Sequence, residues 1–156
     1  MKKLTVNGEL TLSCPDGFRE MSQEELAKAY ADRTAKRAGI WDETRHIILV
    51  VQWHKANVLL AALTDPKSTL RGAEFRLRRL LKDSEYHKTD TFTREIAGRD
   101  ARAFRYEYRV HGVMQEGEVY LLKKKTNVYI IYTYTRIPVT EEARRVIGEI
   151  LNSVRL

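Results

Sequence analysis

One cysteine, Cys14, is all the thiol this chain has, so no internal disulfide can form, which fits a reducing compartment. No segment approaches the roughly 20 apolar residues of a membrane span. The densest run, Ile47 to Trp53, has only the length of a strand. The start, Met1-Lys-Lys, is basic, but Asn7, Gly8 and Glu9 stand where a signal peptide needs its apolar stretch, and the expectation is a soluble cytoplasmic protein. The 8 glycines are scattered singly, giving neither a dinucleotide fingerprint nor a phosphate loop, and no G-x-S-x-G elbow is present. His46, His54, His87 and His111 form no i, i+4 pair and have no Cys or Glu at zinc-ligand spacing. These absences argue against nucleotide-dependent, hydrolytic and metal-assisted chemistry. The expectation is a non-enzymatic chain with no cofactor and no metal. Cys14 shares the apolar parity of Leu10 and Leu12 and reads as a small buried side chain. The acid pairs Glu24-Glu25 and Glu141-Glu142 sit in first helical turns, where the helix dipole accounts for them.

What is present is enough chain for a real core: 156 residues, read as one domain over 1–156 with no repeat or linker. Lys and Arg number 28 against 21 Asp and Glu, a formal charge of +7, which permits binding to polyanions without requiring it. The charges are mostly interleaved. They concentrate on a helix carrying Arg71, Arg76, Arg78, Arg79 and Lys82, and on the turn Lys123-Lys124-Lys125.

The region from Gly98 to Arg136 organises the rest. Phe104, Tyr106, Tyr108 and Val110 alternate with Arg105, Glu107, Arg109 and His111, the period of a strand with one wet face. Glu118 to Leu122 and Val128 to Thr135 follow across short turns, so three strands form an antiparallel meander. Val128 to Tyr134 and Ile47 to Trp53 are apolar on both parities and should be covered on both faces. Upstream, Glu9 to Cys14 reads as a strand stopped by Pro15-Asp-Gly17. Ser22-Gln-Glu-Glu25 has capping-box spacing and predicts a helix running to about Ala38, ended by Gly39. Val58 to Leu63 suits a strand or the start of a helix; Asp65-Pro66 ends it after about six residues, which favours a strand. A second helix is predicted from Ser68 to about Asp83, with Leu70, Ala73, Leu77, Leu80 and Leu81 on one arc. A polar edge strand follows over Tyr86 to Ile96, and Thr140 caps a last helix with a stripe from Ala143 to Val154. Successive strands without crossover helices, and three amphipathic helices to cover them, predict the α+β class: an antiparallel sheet with helices on both faces, an α/β/α sandwich.

Three stretches, Leu10-Thr-Leu-Ser-Cys-Pro-Asp-Gly-Phe18, Gly98-Arg-Asp-Ala-Arg-Ala-Phe104 and Ile147-Gly-Glu-Ile-Leu-Asn-Ser-Val154, together resemble the PsbP-like superfamily, which includes bacterial DcrB-type proteins. The resemblance spans nearly the whole chain. It implies the PsbP-like fold and a binding, accessory or chaperone-like role with no catalytic motif to carry over.

Two surfaces are candidate sites. Tyr30, Tyr106, Tyr108, Tyr129, Tyr132 and Tyr134 are amphipathic side chains suited to lining a partly wet groove, and a protein or peptide partner held between the meander and the first helix is the leading expectation. For most of these residues a tyrosine-rich sheet core is the stronger account. The alternative is weak nucleic-acid or polyanion binding by Arg71, Phe75, Arg78, Arg79 and Lys82 on the outer arc of the second helix, with Lys123, Lys124 and Lys125. Against it stands an ordinary solvated face with Phe75 packed under a loop. Oligomeric state is not legible.

Overall fold

Alternation of Leu4 and Val6 with Leu10 and Leu12 around Asn7-Gly8 folds the start of the chain into a hairpin, β1 (Lys2–Val6) against β2 (Leu10–Cys14). Asn7 and Gly8 both adopt positive φ in the three-residue connection Asn7-Gly8-Glu9, where the Glu9 amide donates to the Val6 carbonyl at 3.1 Å. In the computed structural model, which describes residues 2–30, 35–56 and 66–156, this hairpin lies apart from the main sheet and packs on one of its faces. Sequence reasoning found β2 and missed β1. The signal was Asn-Gly flanked by alternating apolar residues.

The main sheet is antiparallel, with seven strands ordered β3-β4-β5-β9-β8-β7-β6. These are β3 (Arg19–Glu20), β4 (Lys36–Asp42), β5 (Ile47–Lys55), β6 (His87–Ile96), β7 (Arg99–Val110), β8 (Val113–Lys124) and β9 (Asn127–Arg136). The two strands with apolar residues on both parities, β5 and β9, are neighbours in its middle, and β6 is an edge with most of its side chains exposed. The helices are α1 (Gln23–Ala29), α2 (Pro66–Leu80) and α3 (Glu141–Ser153). The fold is α+β, with helices on both faces of the sheet.

On one face α3 and the hairpin cover Leu49, Val51, Tyr120, Leu122, Tyr129 and Ile131. The stripe Val146, Ile147, Ile150 and Leu151 is buried there, each side chain contributing roughly 1.5–3 kcal/mol before its ordering entropy. On the other face α1 and α2 present Leu26, Tyr30, Leu70 and Leu77 to Val50, Phe104, Tyr106, Val119, Ile130 and Tyr132.

One element differs from expectation. The first helix starts as predicted, with Ser22 and Glu25 closing a reciprocal capping box, but it ends at Tyr30, whose φ of −127° and ψ of 134° are extended. Lys36–Asp42, predicted in part as the end of this helix, is β4 instead, paired residue by residue with β5. Pairing with a buried central strand outweighs the helical propensity of a short alanine-containing segment. Gly39 is therefore not a helix cap. It sits opposite Val50 in the ladder, where a Cβ would press on the Met21 sulfur and on Val50 at 3.0 Å. The strand expected at Val58 to Leu63 lies outside the described residues.

Candidate functional site

The α1–α2 face has a seam. Helix α1 is only 7 residues long, and α2 ends at Leu80, so neither reaches over the ends of β7 and β9. Between them an apolar cleft of about 480 Å³ opens onto the sheet. Its walls are Met21, Ala29 and Tyr30 on the α1 side and Leu77, Leu80 and Leu81 on the α2 side. Its floor is Ile48, Val50, Tyr106, Tyr108 and Tyr134, with Val110 and Gln115 at one end. Leu80, placed by its periodicity on the buried arc of α2, is 50% exposed at the mouth, and Val110 is 36% exposed.

The floor depends on a missing side chain. Gly117 of β8 is paired with Tyr106 on one side and Tyr134 on the other, and a Cβ built on it would overlap the Tyr106 ring. The ring lies in the gap the glycine leaves. From there the aromatics form a continuous layer: Tyr106 stacks on Tyr108 with centroids 5.6 Å apart, Tyr108 meets Tyr134 edge-on at 6.4 Å, and Tyr132 is parallel to Tyr134 at 6.5 Å. Tyr30 reaches across from the end of α1, its hydroxyl 3.1 Å from that of Tyr134. The guanidinium of Arg37 covers the other side of the Tyr30 ring, 4.1 Å from its centroid, and donates to the Gln52 side-chain oxygen at 3.0 Å. The buried Tyr106 hydroxyl makes no hydrogen bond of normal geometry. Tyr134 is the neighbour that acts on it, through its charge when ionised and through a hydrogen bond of poor geometry.

Burial holds these phenols neutral. Desolvation pushes Tyr30, Tyr106 and Tyr108 well above the ordinary tyrosine value and Tyr132 up to about 12, with Coulombic repulsion from the ionisable phenol of Tyr134 adding to each. The cleft is thus an uncharged, aromatic and aliphatic recess whose polar features are hydroxyls and the Gln115 amide.

Four of the tyrosines singled out in the sequence, Tyr30, Tyr106, Tyr108 and Tyr134, meet in the cleft. Tyr132 supports them from below, its ring 5.8 Å from that of Tyr30, without lining the space. Tyr129 does not join them: on the opposite parity of β9 it faces the hairpin, and its hydroxyl donates to Glu9 Oε1 at 2.5 Å and accepts from Asn7 at 3.2 Å. Met21, Ile48, Leu80 and Val110 line the cleft and were not singled out. Leu80 and Leu81 were legible as apolar, but only the end of α2 against the sheet decides that they overhang.

The basic set is dispersed. Phe75 is 61% exposed on α2 with the Arg79 guanidinium 5.9 Å from its ring centre, while Arg78 pairs with Glu74 at 3.1 Å. Arg71 lines a separate groove with Lys67, Lys88 and Arg102 beside β6 and β7, and Lys82 lies past the end of α2, exposed. Lys123, Lys124 and Lys125 stand at the β8–β9 turn, where Lys124 is 3.6 Å from Glu9. Cys14 is buried beneath the hairpin, and desolvation raises its thiol above the ordinary value, which keeps it protonated and inert. No group of three or more His, Cys, Asp or Glu among the described residues is arranged to hold a metal ion. No helix among them is long and apolar enough to cross a membrane.

No sequence-family profile matches this chain, and no curated protein matches it in sequence. Solved structures do. CyanoP, the cyanobacterial PsbP of Synechocystis, superposes with a TM-score of 0.70 at 10% identity, over 99% of this chain and 91% of that one. A protein of Bacteroides thetaiotaomicron gives 0.66 at 10% identity over 99% of this chain and 47% of its own, so this chain spans about half of it. LpqN of Mycobacterium tuberculosis, described as involved in cell envelope biogenesis, gives 0.60 at 15% identity over 94% and 82%. At these identities what is shared is the fold, and this chain has the PsbP-like fold.

Proposed function

We propose that this protein is a non-enzymatic binding domain that holds an amphipathic segment of a protein or peptide partner in the cleft between α1 and α2. The observation that carries this reading is the combination of an open apolar recess with Leu80 half exposed at its mouth, where a monomer would ordinarily hide a leucine on the buried arc of its helix. The volume of about 480 Å³ takes two or three apolar side chains, which is the scale of anchors in helix-in-groove recognition. A net charge of +7 favours a partner whose apolar anchors are flanked by acids. No nucleophile, acid–base pair or metal cluster among the described residues lines the recess, so its geometry supports holding a ligand rather than transforming it.

Panning a displayed random-peptide library against the folded chain tests this. Enriched peptides should carry apolar residues at helical spacing with acidic neighbours, and should lose binding by about tenfold or more to Leu80→Glu, a change of more than 1.4 kcal/mol. Leu80 is exposed, so that variant should keep the wild-type urea midpoint. Absence of enrichment, or peptides that bind Leu80→Glu and Val110→Lys as tightly as wild type, overturns the reading.

A further inference from the structure

The strand registers gather cations at one end of the sheet. Lys36 begins β4, His54 and Lys55 end β5, Lys123 and Lys124 end β8, and Asn127, which begins β9, is in register with both Lys55 and Lys124. Lys125 completes the turn between β8 and β9 at positive φ. Neighbouring strands lie about 4.8 Å apart, so the backbone positions carrying these charges, on three of four adjacent strands, fall within roughly 15 Å. By the parity of the ladders Lys36, Lys55 and Lys124 lie on the hairpin face with Trp53, whereas His54 and Lys123 lie on the α2 face, where the charges of Arg76 and Lys123 both reach His54, whose imidazole is held below its ordinary value by desolvation first and by these two cations next.

This end is also concave. A cleft of about 790 Å³ is lined by Lys36, Trp53, His54, Lys55, Arg76 and Asn127, with Asn7 and Gln52 beside them, and no carboxylate is among its described lining residues. Glu9, which borders it, is engaged by Asn127, Tyr129 and Lys124. Lys36, Lys55, Arg76 and Lys125 form no ion pair with the described carboxylates, unlike Arg78 on the outer arc of α2. A concentration of cations left without carboxylate partners is costly through mutual repulsion unless an anion completes it. Trp53, partly exposed, supplies a ring face, and the Asn7, Gln52 and Asn127 amides supply hydrogen bonds.

We infer that this sheet end is a binding site for single-stranded nucleic acid running over the strand ends, with phosphates on Lys36, Lys55, Arg76 and Lys125 and a base against Trp53. The site is separate from the apolar cleft and does not depend on its occupant. It also differs from a site on the outer arc of α2, because it takes Arg76 from that helix and leaves Arg71, Phe75, Arg78 and Arg79 aside. Single strands suit it better than duplex, because a recess with an aromatic wall takes an unstacked base, whereas a duplex presents only its backbone.

The test is fluorescence anisotropy with a labelled oligothymidylate of about ten nucleotides, at about 50 and about 200 mM salt. Four phosphate contacts predict roughly a fifty-fold loss of affinity between these salt levels. The oligomer should also quench tryptophan fluorescence in wild type and much less in Trp53→Phe, where Trp41 remains. Lys36→Glu with Lys55→Glu should weaken binding about tenfold or more, whereas Arg71→Glu with Arg78→Glu should leave it within about twofold. If the first pair perturbs the circular dichroism spectrum, Arg76→Glu with Lys125→Glu, both exposed, serves in its place. No binding at the lower salt, polyphosphate binding as tightly as the oligomer, or an equal loss on reversing Arg71 and Arg78 would each overturn the inference.

Discussion

At the scale of single residues, Gly117 is where the candidate site is most sensitive. Alternation along β8 calls for a side chain there, and the glycine is justified only by the Tyr106 ring that occupies its place. Gly117→Ala should drive that ring off its rotamer and cost about 1–3 kcal/mol, measured as a lower urea midpoint with unchanged slope. Because Tyr106, Tyr108 and Tyr134 form one aromatic layer, the same variant should also distort the cleft floor. Glu25 makes a second residue-scale prediction. Its carboxylate accepts from both terminal nitrogens of Arg19, at 2.9 and 2.7 Å, and from the Ser22 amide at 2.9 Å, and these contacts, Arg19 foremost, lower it to about 2. A depressed acid stabilises the fold above the ordinary glutamate range, and that contribution is lost as pH falls through that range toward about 2. Proton titration followed by NMR should place Glu25 near that value, and Glu25→Gln should abolish the pH dependence of α1 amide protection in acid. The pair is exposed, so the global effect should be small.

At the scale of elements, periodicity located α2, α3 and the four-strand run from β6 to β9, because each buries a stripe or face that its own sequence declares. The start of α1 was equally legible in the Ser22–Glu25 box. Its end was not. In the sequence Gly39 is the terminator and Tyr30 reads as part of the helix, and the choice is made by β5, a buried strand whose free edge accepts Lys36–Asp42 as a partner. β1 was missed because Lys2 and Lys3 dilute its alternation, although Leu4 and Val6 are buried in the core.

At the scale of the whole molecule, buried tyrosines set the response to alkali. Tyr30, Tyr106, Tyr108, Tyr120, Tyr132 and Tyr134 are all raised by burial, so the native state keeps protons that the unfolded chain releases above about pH 10. Stability from these groups is complete below that pH and is lost as pH rises through the folded values. Tyrosinate absorbance should therefore appear in one cooperative step with the loss of far-ultraviolet ellipticity. Early, gradual ionisation of most tyrosines in a still folded chain would contradict the buried aromatic layer. The amino-acid sequence by itself determined the class of fold, the central position of the two doubly apolar strands and the polar edge, since period and burial are local properties of a chain. Which tyrosines share a recess, and which cations share a sheet end, was decided only by tertiary structure. Parity puts Tyr129 and Tyr132 on opposite faces, but the antiparallel register alone brings Lys36, Lys55 and Lys124 together from positions far apart in the chain.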